Sequence, residues 1–258
     1  RKAGAEPLTF GMTFPFSTHN YQLRFWMAAG GVDPDEDVRL VVLPPPYMVG
    51  SLQEGQVDGF CVGAPWNSVA VDLGVGRILH FGADIFGRAA EKALALRQSF
   101  ADENPNTVAA LIRALHRAAR FIEEGDRREV ASILARPDRV GVDAEVISRT
   151  LEGRLKISPD GAIRENPHYL LTGEERPDST QAAWLYAQMV RWGQAPISDA
   201  LLDAAKATYR ADLYDAALPL RERGRASPAA LIGAFAGPEF DDRDIGSYLS
   251  AFSIGRRR

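Results

Sequence analysis

The residues whose types and spacing suit chemistry fall in three short stretches near the start of the chain. Phe16-Ser17-Thr18-His19-Asn20 follows an apolar run and opens a helical one. At a helix start, free backbone N–H groups and the positive end of the dipole favour an anion. The hydroxyls of Ser17 and Thr18 and the imidazole of His19 add side-chain donors. Cys61-Val62-Gly63-Ala64-Pro65-Trp66-Asn67 follows another apolar run. Glycine at 63 lets a ligand approach the backbone closely, and Trp66 offers a wall. Lys92 lies in the apolar stretch KALALR and is one of only four lysines, with Lys2, Lys156 and Lys206, among 30 basic residues. An ammonium is a compact charge for which arginine is no substitute at a tight site. Plainer readings exist: Ser17-Thr18 as a cap, Gly63 as a turn, Trp66 as core, Lys92 as a snorkelling side chain. Three strand ends on one rim, the second followed by Pro44-Pro45-Pro46, together with a rare lysine on the same unit, favour a binding site.

Other chemistries lack their signatures. The chain has no G-x-G-x-x-G, no P-loop and no G-x-S-x-G. His19, His80, His116 and His168 have no metal-ligand spacing. Cys61 is the single cysteine, which excludes an intrachain disulfide and a cysteine-based zinc site. Its apolar setting, GFCVG, reads as a buried inert thiol. No cofactor and no metal are expected. An enzyme would need a positioned acid–base pair or nucleophile, and the only nominees are His19 with Asp58, or Cys61. The 258 residues carry a net charge of −4, which gives no basic footprint for direct nucleic-acid binding. The Arg256-Arg257-Arg258 tail reads as a solvated charge run. Apolar residues make up 46% and charged residues 25%, an ordinary globular balance. No apolar run reaches the ~18 residues of a transmembrane segment. The longest, Val38 to Met48, is broken by three prolines.

The elements that must position these residues alternate. Leu8–Phe14, Val38–Leu43 and Val57–Val62 read as strands, with Arg77–Phe81 a fourth and Lys92–Arg97 a fifth. Between them lie helices over His19–Ala29, from the proline triplet to Glu54, and from Pro65 to Leu73. Ser17 or Thr18 caps the first helix, and Gly30-Gly31 and Gly55 end the first two. This is the pattern of a doubly wound parallel α/β sheet, in which ligands bind beyond the carboxyl ends of strands. After residue 97 the chain turns helical: a helix from Asn104-Pro105 with Val108, Leu111, Ile112, Leu115 and Ile122 at helical spacing, then Arg127–Leu134, Asp143–Leu151, Ser179–Trp192 and Asp199–Thr208. Lys156–Arg176 reads as an irregular loop and Leu218–Glu239 as a flexible stretch. The expected division is an α/β lobe over 1–97 and a mainly helical region over 98–258 that completes the lobes.

The stretch from Thr13 to Asp72, with S-T-H-N-Y, P-P-P-x-M-V and C-V-G-x-P-W-N, resembles the second-lobe segment of nitrate- and bicarbonate-binding proteins of ABC transporters, a family that includes NasS-type nitrate/nitrite sensors. The resemblance continues through Ala89–Ala118, Ala183–Gly193 (AWLYAQMVRWG), Tyr209–Tyr214 (YRADLY) and Asp241–Arg256 (DDRDIGSYLSAFSIGR). It implies a type II periplasmic-binding-protein fold, non-catalytic binding of a small oxyanion, and ligand contacts at His19, the Gly63 amide and Lys92, with Thr18 and Trp66 as walls. It also implies that part of a first lobe, which supplies a tryptophan and a glutamine in the family, has no counterpart before Leu8. The expected ligand is nitrate or nitrite, with bicarbonate the alternative. The expected partner is an ABC permease, for a periplasmic or membrane-anchored receptor, or a NasT-type RNA-binding antiterminator, for a cytoplasmic sensor. Ala64 and Ala89-Ala90 depart from the C-V-G-E-P-W and H-P-E-K of many transport members, and NSVAVDLGVGRILHF leans toward the sensor branch.

Overall fold

A computed structural model of the chain describes residues 4, 6–167, 169–170, 172, 176–222 and 235–255. Strand β1 (Thr9–Met12) leads into α1 (Thr18–Ala29), β2 (Arg39–Val42), α2 (Pro45–Gln53), β3 (Gly59–Cys61) and α3 (Trp66–Asp72). The three strands form one parallel sheet in the order β2-β1-β3, with Gly11 opposite Val41 on one side and Phe60 on the other. Parallel strands need crossover connections, and α1 and α2 supply them. Gly11 sits where a Cβ would meet Met48 Sδ at 2.9 Å, so its lack of a side chain lets α2 lie close on the central strand. Ser17 caps α1 by accepting from the Asn20 amide, and Pro45 stands in the first turn of α2, where its missing N–H removes no helical bond.

The order 2-1-3 places β1 in the middle: the chain leaves it toward β2 on one side, and α2 then carries it back across to β3 on the other. Loops that follow β1 and β3 therefore diverge and leave a crevice at their carboxyl ends. Residues 13–17 and 62–65 border that crevice.

Among the described residues the parallel sheet has three strands, not the expected four or five. Arg77–Phe81 runs without a ladder: Ile78 donates to the Ile157 carbonyl, and Phe81 ends the segment as the N-cap of a short helix, α4 (Gly82–Ile85). Lys92–Arg97 likewise forms no strand, and its Leu94 and Leu96 are exposed. Alternating apolar residues favour extended backbone, but a strand exists only when a neighbour supplies ladder bonds.

The helical remainder comprises α5 (Gln98–Glu103), α6 (Pro105–Glu124), α7 (Arg127–Leu134), α8 (Ala144–Glu152), α9 (Ser179–Arg191), α10 (Asp199–Ala207), α11 (Ala211–Ala217) and α12 (Ile245–Ser250). Within the expected irregular loop an antiparallel pair forms between α8 and α9, β4 (Arg154–Lys156) with β5 (Ile163–Glu165). Most of the expected flexible stretch, 223–234, lies outside the described residues, as does His168; Leu220–Glu222 makes a 3-10 turn. The main core joins Tyr21 and Phe25 of α1 to Phe86, to Ala183, Trp184, Tyr186 and Ala187 of α9, and to Ile245 and Tyr248 of α12. No described helix is long and apolar enough to cross a membrane.

Candidate functional site

Three hydrogen bonds fix the loop that carries His19. Asn20 Nδ2 and Gln194 Nε2 both donate to the Pro15 carbonyl, at 2.7 and 2.9 Å, and the Tyr21 hydroxyl donates to Gln194 Oε1 at 2.8 Å. Asn20 and Tyr21 belong to α1, while Gln194 follows α9. The entry to α1 is thus held from within and from the far helical layer. His19 occupies the first turn of α1 and turns its ring over the crevice. Thr13 Oγ1 lies 3.4 Å from His19 Nδ1. With Nδ1 facing a hydroxyl that can donate to it, Nε2 is left to carry the outward-facing proton in the neutral ring.

His19 Nε2 approaches Glu91 Oε1 at 3.1 Å, and Lys92 Nζ reaches the same oxygen at 2.6 Å. A Cβ added to Gly63 would stand 3.1 Å from that oxygen, 3.5 Å from His19 Nε2 and 3.6 Å from Lys92 Nζ. The structure therefore brings His19, Gly63 and Lys92 from three separate segments to one point, and a carboxylate oxygen stands there. The hydrogen bond from His19, and then the hydrogen bond and charge of Lys92, hold the Glu91 carboxyl down at about 2, against burial acting the other way. It is ionised throughout the neutral range.

Lys92 does not sit on a strand. It follows Glu91 in an extended segment, and its side chain is 80% exposed, so the charge is carried at the rim of the crevice. The other end of that segment is fixed by Thr18, whose hydroxyl donates to the Ala90 carbonyl at 2.6 Å. Thr18 thereby ties the start of α1 to the residues that deliver Glu91 and Lys92. Trp66 is half-buried in the first turn of α3, after a cis Ala64–Pro65 bond. Among the described residues no hydrogen bond or ring pair links it to the His19–Glu91–Lys92 group.

Beside Trp66, Asn67 Nδ2 donates to the Tyr169 hydroxyl at 2.8 Å, and the Tyr169 ring meets Phe81 edge-on with centroids 4.9 Å apart. Burial pushes the Tyr169 phenol up to about 12, and the charge of Glu91 adds to the shift. Tyr169 therefore stays a neutral hydroxyl close to the crevice. Burial also pushes the Cys61 thiol up to about 12, again helped by Glu91, so its nucleophilic form is suppressed. Asp58 accepts from the Thr9 amide at 2.8 Å, at the amino end of the sheet, whereas His19 lies beyond the carboxyl end. The nominated His19–Asp58 pair is not assembled. Among the described residues there is no group of acidic, cysteine and histidine side chains arranged to hold a metal.

Glu91 and Tyr169 were not singled out from the sequence. Glu91 had two signals, its place next to the rare Lys92 and its match to the E of the H-P-E-K pattern. Tyr169 had none, because it enters from a loop 102 residues away from its partner Asn67.

Comparison with known proteins bears on the same region. The chain is 30% identical over 262 residues to the nitrate/nitrite binding protein NrtA of Synechococcus elongatus, with 98% of this chain and 59% of that protein covered. It is 33% identical over 257 residues to the bicarbonate transport ATP-binding protein CmpC of Synechocystis, with 96% of this chain and 38% of that protein covered. The chain thus spans well under two thirds of the length of either relative. Its fold superposes on the crystal structure of the periplasmic nitrate-binding protein NrtA from Synechocystis with a TM-score of 0.87 and 27% identity, covering 98% of this chain and 68% of that one. The fold is accordingly the α/β, type II periplasmic-binding-protein fold that the sequence leads one to expect. Residues 1–135 match the NMT1-like family, and the chain belongs to that family.

Proposed function

We propose that the protein binds a small monovalent oxyanion, without turning it over, in the crevice between the ends of β1 and β3. One observation carries this reading: His19 Nε2 and Lys92 Nζ converge on a single carboxylate oxygen in the space left open by Gly63. A carboxylate is itself a planar oxyanion, so a site that receives it from donors at different angles suits nitrate or nitrite as well. The Lys92 ammonium and the dipole of the first turn of α1 both favour an anion there, with the Glu91 carboxylate as a competing negative group. The assembled side chains include no activated nucleophile, since the Cys61 thiol is held protonated.

Nitrate and nitrite are the favoured ligands, in line with the NrtA likeness, and the assigned roles are His19 as donor, Gly63 as the point of close backbone approach and Lys92 as the balancing charge. Thr18 is assigned the positioning of Glu91 and Lys92, and Trp66 the wall on the α3 side. The relatives are named as transport and binding proteins, which supports a solute-binding role with an ABC permease as partner over a NasT-type antiterminator. Bicarbonate is the second reading, favoured by the CmpC likeness and by the acceptor that Glu91 places in the crevice.

Titration calorimetry with nitrate, nitrite and bicarbonate, on the protein and on Lys92→Ala, tests the reading. The variant is expected to bind its anion at least tenfold more weakly, about 1.4 kcal/mol. Equal affinity in the two proteins would remove Lys92 from the site and the proposal with it.

A further inference from the structure

Glu91 is the feature of the crevice that anion binding does not explain. A site built to take a negative ligand holds a negative side chain at the meeting point of its donors. Lys92 Nζ is 2.6 Å from Glu91 Oε1 and His19 Nε2 is 3.1 Å from the same atom. One oxygen therefore takes both side-chain donors that a ligand would need. The charge of Lys92 is cancelled by the residue next to it. An incoming anion meets the His19 Nε2 donor and one of the three Lys92 N–H groups already in use, and a neighbour of its own sign.

We propose, building on the oxyanion reading above, that Glu91 is the specificity-determining residue of this site: an internal competitor for the His19 and Lys92 donors that any anion without a proton of its own must displace. Nitrate and nitrite have acceptors only, so they gain the two donors when the carboxylate swings aside and then face its charge. Bicarbonate carries an O–H, which it can donate to the displaced carboxylate, so for it the repulsion is offset by a charge-assisted hydrogen bond. The carboxylate has room to move. Glu91 is about one third exposed and sits in a segment without ladder bonds, whose backbone is pinned at the Ala90 carbonyl by Thr18, so the carboxylate can swing aside while the backbone stays. Its ionisation does not relieve the conflict near neutral pH, because the same donors keep its carboxyl far below the ordinary range.

The experiment compares nitrate, nitrite and bicarbonate binding by calorimetry at pH 8 in the protein, Glu91→Gln and Glu91→Ala, with Lys92→Ala alongside. Gln keeps the shape and removes the charge, whereas Ala removes the competitor entirely. Both variants are expected to bind nitrate and nitrite at least tenfold more tightly and to bind bicarbonate with less than a threefold gain, so that the nitrate-to-bicarbonate affinity ratio moves in the same direction in both. Weaker nitrate binding in both variants would make Glu91 a positioning group for His19 and Lys92 and overturn the inference. An unchanged ratio would overturn it as well. Either result, with Lys92→Ala still impaired, leaves the oxyanion site standing. If none of the proteins takes up any of the three anions, the site reading and the inference fall together.

Discussion

At the scale of single residues, the crevice depends on what is missing at position 63. Glycine there leaves a gap bounded by Glu91 Oε1, His19 Nε2 and Lys92 Nζ, and a methyl group would stand 3.1 to 3.6 Å from all three. Gly63→Ala should therefore fill the space of the ligand without disturbing the fold, because the position is not among the glycines with positive φ. Nitrate affinity is expected to fall at least tenfold, with the melting temperature within about 2 °C of the parent, since substitutions away from core, caps and strained backbone stay within about 0.5 kcal/mol. A variant that binds as the parent does would show that the ligand lies elsewhere. His19 and Gly63 were legible in the sequence because each follows a strand and precedes a helix, and that placement alone puts a residue on the binding rim of a parallel sheet. Glu91 was not. An acidic residue beside a lysine has the pattern of a solvated charge pair, and only the folded segment shows its carboxylate turned toward His19.

Elements tell a similar story of local signals read correctly and partners left unseen. The three strands of the parallel sheet lie inside the predicted runs, and α7 matches its predicted bounds, because apolar periodicity and capping residues are local properties. Arg77–Phe81 and Lys92–Arg97 have strand-like composition but no ladder, because pairing depends on a distant neighbour. The β4–β5 pair had a readable cue, Ser158-Pro159-Asp160-Gly161, a turn sequence between two short runs with β-branched or long apolar residues. What holds that pair to α8 is Gly153. It ends the helix at φ 67°, its carbonyl accepts from the Asn166 amide at 2.8 Å, and a Cβ would fall 2.3 Å from the Asn166 carbonyl oxygen. An L-residue there meets both a left-handed backbone and a backbone clash that no side-chain rotation relieves. Gly153→Ala is expected to lower stability by about 2 kcal/mol or more, measured by urea unfolding. A loss below about 0.5 kcal/mol would mean that the α8–β4 turn has another geometry in solution.

Across the whole molecule, the aromatic core decides whether the sheet with its crevice and the helical layers act as one body. Phe25 of α1 is 2% exposed and meets Phe86 and Phe252 edge-on, with centroids 5.2 and 5.6 Å apart. Arg191 at the end of α9 lies over the Phe252 ring at 3.7 Å and donates from Nε and Nη2 to the Ile254 carbonyl. Burial brings this guanidinium down to about 10, which still leaves it charged at neutral pH, so cation–π contacts stand in for an acidic partner. The helix that presents His19 is thus bolted, through Phe25, to α9 and to the segment after α12. Removing the ring should open a cavity shared by all of these. Phe25→Ala is expected to cost about 3–5 kcal/mol, and the loss should appear in one transition, with backbone circular dichroism and tryptophan fluorescence moving together. Trp26 and Trp66 report from α1 and α3, and Trp184 and Trp192 from α9 and its end, so the fluorescence samples both parts and separate melting of the two would appear as two steps. Two separated transitions would mean that the sheet and the helices fold as independent units. The crevice would then be positioned by the sheet alone, and the Gln194 bond to the Pro15 carbonyl would add nothing to anion affinity. A single transition ties the anion-facing loop to the far helical layer, so that tightening of that layer is felt at His19.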